Sequence, residues 1–259
     1  ASAAIDLTPD LGLAARFARG YEYFGAQVDD ARLVVCNAVD ARQRGATVLV
    51  GARMTAARVV DGHWQVTLEQ CGRSRTLRAR ALVNAAGPWV ADILSLCRDT
   101  NTQPVGKSAI RLVKGSHIVV PRIYEGDWAY LCQNEDGRVI FFLPFEQDFT
   151  LIGTTDTPFT GNPATVTCSE EEEAYLLGVA ARFFKKPPAA MTVVHRFAGV
   201  RSLYDDGSRT PQDVTRDYVL KLETHPAPLL SLYGGKITTF RRLAEQAVGC
   251  GADYVAFGA

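Results

Sequence analysis

The chain has 259 residues, 47% hydrophobic and 22% charged, which suits one large domain or two smaller ones around a sizeable core. Lys plus Arg equals Asp plus Glu at 28 each, and a net charge of zero argues against nucleic acid as the main partner, since phosphate backbones select a basic face. Six cysteines without C-x-x-C spacing favour free thiols, buried or partly buried, in a reducing compartment over zinc or disulfides, and no apolar run reaches the roughly 20 residues of a membrane span.

Residues 1–27 show little regular period. Asp29-Asp30 then precede Ala31, Leu33, Val34, Val35, Ala38 and Val39, and Gly45 follows, which predicts a helix with an acidic start and a glycine stop. Ala46 to Val50 reads as a short buried strand. A β-meander comes next: Ala56 to Val60 and His63 to Leu68 flank the hairpin turn Asp61-Gly62, and Arg75 to Arg78 supplies a third strand. Ala81 to Ala85 is an apolar strand that ends at Ala86-Gly87-Pro88, and Pro88 suits the start of a helix through Trp89, Ile93 and Leu96.

From Ala109 the pattern shifts to long strands at Arg111–Val120, Trp128–Gln133, Val139–Leu143 and Phe149–Thr155, which predict an antiparallel sheet. Ser169-Glu170-Glu171-Glu172 is a capping box for a helix over Ala174 to Phe184, stopped by Pro187-Pro188. Strands at Val193–Leu203, Tyr218–Glu223 and Leu229–Tyr233 lead into Gly234-Gly235-Lys236-Ile237-Thr238-Thr239 and a helical pattern over Phe240 to Val248. The fold class is therefore mixed α/β.

Two strand-to-helix turns carry the chemistry. The Gly234-Gly235 turn presents free N–H groups and the positive end of a helix dipole, suited to an anionic or electron-rich part of a cofactor. Asn84-Ala85-Ala86-Gly87-Pro88-Trp89 by itself is equally a tight α/β connection, but two such turns can flank one nucleotide at the carboxyl ends of parallel strands. His117, in Lys114-Gly115-Ser116-His117, is a candidate general base or an ordinary strand histidine. His63, His195 and His225 sit in weaker contexts. Arg201, Arg216 and Lys236 can gather around a phosphate, or the arginines can form surface ion pairs such as Arg216 with Asp217. Gly153-Thr154-Thr155-Asp156 reads as a turn rather than a polar strand end at the site.

At these residues the chain resembles the FAD-dependent glycerol-3-phosphate dehydrogenases. The resemblance rests on Asp29-Asp30-Ala31-Arg32-Leu33, Asn84 to Trp89, Arg111 to His117, Gly153 to Asp156, Gly199-Val200-Arg201, Thr215-Arg216-Asp217-Tyr218 and Gly234 to Thr239, in the family's order, over about residues 20 to 248. It implies a flavoprotein that oxidises sn-glycerol 3-phosphate to dihydroxyacetone phosphate and passes electrons to a quinone. It further implies a peripheral contact at the inner face of the cytoplasmic membrane, with a cytoplasmic location, and leaves a homodimer open. The implied organisation is a partial FAD-binding domain over 1–105, an antiparallel substrate cap over 106–195 and a return to the FAD-binding domain over 196–259.

By the same resemblance, His117, Arg201 and Lys236 are catalytic, and Arg201, Arg216 and Lys236 bind substrate. Ala86, Gly87, Trp89, Gly234, Gly235, Lys236, Ile237 and Thr238 hold the FAD. No metal is expected. The family's G-x-G-x-x-G unit and C-terminal helical domain do not occur in the sequence, so the chain reads as a middle fragment, inactive alone and holding FAD weakly or not at all. Two other readings stand beside this one: an FAD oxidoreductase of the same fold acting on an amino acid or hydroxy acid, and a non-catalytic interaction module.

Overall fold

The structure, a computed structural model, describes residues 2–7, 11–99, 101, 110–189, 192–205 and 217–251. In chain order the elements are β1 (Ser2–Asp6), β2 (Arg19–Tyr23), α1 (Asp30–Gln43), β3 (Ala52–Val60), β4 (His63–Gln70), β5 (Arg73–Ala79) and β6 (Leu82–Asn84). A 3-10 turn over Gly87–Trp89 leads into α2 (Val90–Leu96) and β7 (Cys97–Arg98). The strands β8 (Ile110–Pro121), β9 (Tyr130–Gln133), β10 (Val139–Phe145), β11 (Phe149–Gly153) and β12 (Thr157–Pro158) precede α3 (Glu170–Phe183). Then come β13 (His195–Tyr204), β14 (Val219–Glu223), β15 (Leu229–Tyr233), a 3-10 turn over Ile237–Thr239, and α4 (Phe240–Gly251).

The chain divides into two units: residues 1–26 with 112–201, and residues 27–111 with 202–259. The first unit is built on a sheet ordered β12-β8-β11-β10-β9, with β13 paired to β8. Alternation decides its core. Ile118, Val120, Ile140, Phe142 and Ile152 are buried in one cluster with Leu176, Val179, Ala180 and Phe183 of α3. The helix residues recur at helical spacing, so one stripe of α3 meets one face of the sheet. Its start is fixed by the expected capping box, in which Ser169 accepts from the Glu172 backbone and Glu172 accepts from the Ser169 backbone.

The first 26 residues belong to this unit, whereas the organisation implied by the resemblance grouped them with residues 27–105. Tertiary contacts decide it. Tyr130 Oη donates to the Leu11 carbonyl at 2.7 Å, and Leu13 bridges Phe184.

The second unit holds the meander as a sheet ordered β5-β4-β3-β7, and a three-stranded sheet ordered β14-β15-β6. Asp61-Gly62 and Cys71-Gly72 both have positive φ at each central residue, the geometry of tight hairpin turns. Val59, Trp64, Val66, Val90, Leu94, Leu229 and Tyr233 form the core. Trp64 is wholly buried, and its indole N–H donates to the Pro228 carbonyl at 2.7 Å, just before β15. Strand β6 lies parallel to β15, with Leu82 opposite Leu229 and Asn84 opposite Ser231.

Three expectations are corrected. Ala46 to Val50 forms no strand, and Val50 is 83% exposed. Among the described residues no strand ladders with it, and α1 likewise buries no residue. An apolar run without a partner leaves its backbone groups to water, so hydrophobicity alone cannot make it a strand. The strand expected over Phe149–Thr155 stops at Gly153. Cys36, Cys71 and Cys250 are exposed, because they lie on helix surfaces or in a hairpin turn; Cys97 and Cys132 are buried.

Phe142 is fully buried between sheet and α3. Phe142→Ala is expected to lower the unfolding free energy by about 3–5 kcal/mol through lost transfer energy and a cavity. Urea unfolding measures it, and a loss below about 1 kcal/mol would contradict the packing described.

Candidate functional site

In the first unit the site grows from the face of the sheet turned away from α3. Ser116, Ile118 and Val120 face α3, so Gly115, His117 and Val119 face the other way. Register then sets the neighbours. His117 pairs with Gly153, and Gly153 pairs with Phe141, so the three share one face across adjacent strands. A Cβ at Gly153 would overlap the His117 ring, so the imidazole leans over a notch that only glycine leaves. On the other side Phe197 stacks on it, with centroids 5.1 Å apart and planes 7° apart. The ring is clamped between backbone and an aromatic plane.

His117 Nδ1 is buried without a hydrogen-bond partner among the described residues. Burial first, and then the Arg201 charge, hold the imidazole below its ordinary pKa. It is therefore neutral at pH 7 and able to accept a proton.

Arg201, on β13, reaches the same region. Its Nη2 pairs with Asp156 Oδ1 at 2.8 Å and donates to the Thr155 carbonyl at 3.4 Å, while its side chain stays 41% exposed. So Arg201 makes an ion pair, as one reading of the sequence had it, and still presents guanidinium surface. A Cβ at Gly115 would overlap Thr154 Oγ1 and stand 3.2 Å from the Thr155 carbonyl and 3.5 Å from Arg201 Nη2. The segment after Gly153 is thus not a mere turn. It is a polar strand end packed on β8, and it supplies the partners of Arg201.

Behind this notch, on the α3 side, Glu172 gathers four partners. Its Oε1 accepts from Thr155 Oγ1 at 2.9 Å. Its Oε2 accepts from Ser116 Oγ at 2.8 Å and from the Ser169 backbone at 3.0 Å, and lies 2.7 Å from Lys114 Nζ. Burial pushes this carboxyl up, but Lys114 and the three hydrogen bonds outweigh it and the net shift is down.

In the second unit the parallel pairing of β6 with β15 brings the two expected strand-to-helix turns to the same end of adjacent strands. Asn84 is buried; its Nδ2 donates to the Val90 carbonyl at 2.9 Å and its Oδ1 accepts from the Ala86 backbone at 3.4 Å, tying strand to helix. Gly87 follows with φ +55°. In the other turn Gly234 has φ +72°, and a Cβ there would stand 3.0 Å from the Asp217 carbonyl; Gly235 has φ +103°. Both positions need glycine. Gly235, Lys236, Ile237, Thr238 and Trp89 are exposed, while Ala86 and Gly87 are half-buried.

The structure thus brings His117 and Arg201 together in one unit, and Ala86, Gly87, Trp89 and Gly234 to Thr238 together in the other. Arg216 lies outside the described residues. Sequence reasoning missed Phe197 and the breadth of the Glu172 contacts. No local pattern announces either, since both depend on which strands pair. Among the described residues no group of His, Cys, Asp or Glu is arranged to hold a metal ion.

Residues 1–241 match the family described as FAD dependent oxidoreductase, DAO. The chain belongs to that family. The chain is 49% identical over 251 residues to a glycerol-3-phosphate dehydrogenase of Pseudomonas aeruginosa, covering 96% of this chain and 48% of that one. It is 48% identical over 235 residues to a D-erythritol 1-phosphate dehydrogenase of Brucella abortus, covering 89% of this chain and 46% of that one. Among solved structures it is similar to the glycerol-3-phosphate dehydrogenase from Bacillus halodurans complexed with FAD. That match has a TM-score of 0.77 at 28% identity and covers 95% of this chain and 47% of that one. The chain spans about half the length of the relatives it matches.

Because the folded chain holds the His117 proton less tightly than the unfolded chain, its stability falls as pH drops through 6.5 and levels off below the folded pKa. Urea midpoints at pH 7.5 and 5.5 should show a larger loss for the native chain than for His117→Gln. Equal losses would show that the imidazole is not desolvated as described.

Proposed function

We propose that this chain supplies the substrate-facing sheet and part of the FAD-binding fold of a dehydrogenase that oxidises sn-glycerol 3-phosphate to dihydroxyacetone phosphate. The observation that carries the reading is the imidazole of His117, clamped between Gly153 and Phe197, beside the guanidinium of Arg201. A base next to a fixed cation suits a secondary hydroxyl that stands one carbon from a phosphate. The similarity to relatives named glycerol-3-phosphate dehydrogenase supports it.

The residues present fit FAD. Two backbone turns built on positive-φ glycines lie at the ends of adjacent parallel strands, with Trp89 and Ile237 exposed beside them. Ala86, Gly87, Trp89 and Gly234 to Thr238 would hold it. When bound, FAD supplies the acceptor for the hydride that leaves substrate C2.

His117 takes the hydroxyl proton at C2 as the carbonyl forms. Arg201 binds the phosphate, and in this reading Lys236 and Arg216 add positive charge near substrate and flavin. The onward electron acceptor in this reading is a quinone, met at the inner face of the cytoplasmic membrane. In this reading the substrate cap expected over 106–195 is the unit of residues 112–201 with 1–26, and the cofactor parts expected over 1–105 and 196–259 are residues 27–111 with 202–259.

A second reading takes a longer phosphorylated polyol, since one relative at 48% identity is a D-erythritol 1-phosphate dehydrogenase. Competition separates the two. In the full-length protein, glycerol 3-phosphate should be turned over with a higher kcat/KM than D-erythritol 1-phosphate or any 2-hydroxy acid. His117→Ala should lower kcat by about 10²–10⁴-fold, the usual worth of a positioned base. Arg201→Ala should raise KM by roughly thirtyfold, as loss of a charge-assisted bond of about 2 kcal/mol. The acid limb of kcat/KM should have its midpoint below 6.5, because burial and Arg201 disfavour the imidazolium. Unchanged turnover in His117→Ala would sink the assignment.

These 259 residues alone should bind FAD weakly or not at all and be inactive, since the sequence has two of the turns but no G-x-G-x-x-G for the pyrophosphate. A flavin fluorescence titration checks this; tight stoichiometric binding would refute it.

A further inference from the structure

The carboxylate of Glu172 has more partners than a helix start requires. A capping box needs one bond from the glutamate side chain to the N-cap backbone, and Glu172 makes it to Ser169. The same carboxylate is only 11% exposed and takes three further partners from elsewhere in the unit: Lys114 and Ser116 of β8, and Thr155 after β11. Thr155 Oγ1 in turn accepts from the Ser116 backbone N–H at 2.9 Å. Both carboxylate oxygens are engaged, and α3, β8 and the 154–156 segment are tied at one point.

That segment is also where Arg201 is held. Nη2 of Arg201 bonds to the Thr155 carbonyl and to Asp156 Oδ1. The hydroxyl of Thr155 points to Glu172 and its carbonyl to Arg201, so one residue links the buried carboxylate to the cation. Gly115, between Lys114 and Ser116, lets Thr154, Thr155 and Arg201 approach β8 closely. The polar residues of the Lys114-Gly115-Ser116-His117 and Gly153-Thr154-Thr155-Asp156 segments thus divide by face. Lys114, Ser116 and the Thr155 hydroxyl serve Glu172, while His117 and Asp156 face the candidate site.

We infer that Glu172 is a positioning residue, which acts through Thr155 to fix the guanidinium of Arg201 where it meets the substrate phosphate. The inference rests on the function proposed above. A buried charge with four partners holds its geometry tightly, since removing any one leaves another polar group unpaired. Glu172→Gln keeps the shape but removes the charge, so Lys114 loses its counter-ion and the bonds from Thr155 and Ser116 lose their charge assistance. The 154–156 segment then loosens and Arg201 with it. Phosphate binding suffers in ground and transition state alike, so the loss falls on KM.

The test is a double-mutant cycle in the full-length protein with glycerol 3-phosphate. Glu172→Gln should raise KM about tenfold and leave kcat within about twofold, a typical cost of misplacing a binding group from a distance. In the Arg201→Ala background the same substitution should raise KM less than about twofold, because the group it positions is gone. A tenfold rise in both backgrounds, or no rise in the native one, overturns the inference and leaves Glu172 a helix cap. If Arg201→Ala itself leaves KM unchanged, the proposed function fails and the inference falls with it. Thr155→Val keeps the carboxylate paired with Lys114, Ser116 and Ser169, and should show the same dependence on Arg201. It runs the same cycle if Glu172→Gln fails to fold, with the same outcomes deciding.

Discussion

The register between β8 and β11 is the constraint on which the first unit's chemistry depends. It sets Gly153 opposite His117, and the missing Cβ is what gives the imidazole room. A slip of one residue in β8 would turn His117 toward α3 and Ile118 away from it. That slip is opposed by the core itself, because Ile118 and Val120 would leave the cluster around Leu176 and Phe183. The hydrophobic alternation that folds the sheet is thus the same alternation that aims the histidine.

Each face of β8 does a different kind of work. On one face, burial and then the Arg201 charge hold the His117 imidazole below its ordinary pKa. On the other, a carboxylate is buried yet stays ionised, because Lys114, two hydroxyls and a backbone N–H compensate its desolvation. A strand only one residue thick therefore separates a base kept uncharged from an ion pair kept charged.

The second unit follows a backbone logic instead. Side chains matter less there than the direction of two short strands. Parallel pairing of β6 and β15 places two helix starts side by side, and glycines at positive φ open the turns between strand and helix. Asn84 locks one of them by bonding across the turn to Ala86 and Val90. Trp64 braces the meander against the approach to β15 through its bond to Pro228.

Much of the fold was legible from local pattern. The Asp61-Gly62 hairpin, the Ser169–Glu172 capping box, the helix it starts and both glycine turns needed only near neighbours in sequence to be recognised. Ala46 to Val50 misled for the same reason: its composition was that of a buried strand, but a strand needs a partner that composition cannot supply. Gly153 to Asp156 was read as a turn because its neighbours, His117 and Arg201, lie 36 and 45 or more residues away in the chain. The residue types at 115, 117, 153, 172 and 201 were determined by the sequence alone. That a glycine faces a histidine, that a phenylalanine at 197 covers it, and that a helix-cap glutamate reaches the partners of an arginine were decided by strand pairing, since long-range register is set by the whole core and by no single segment.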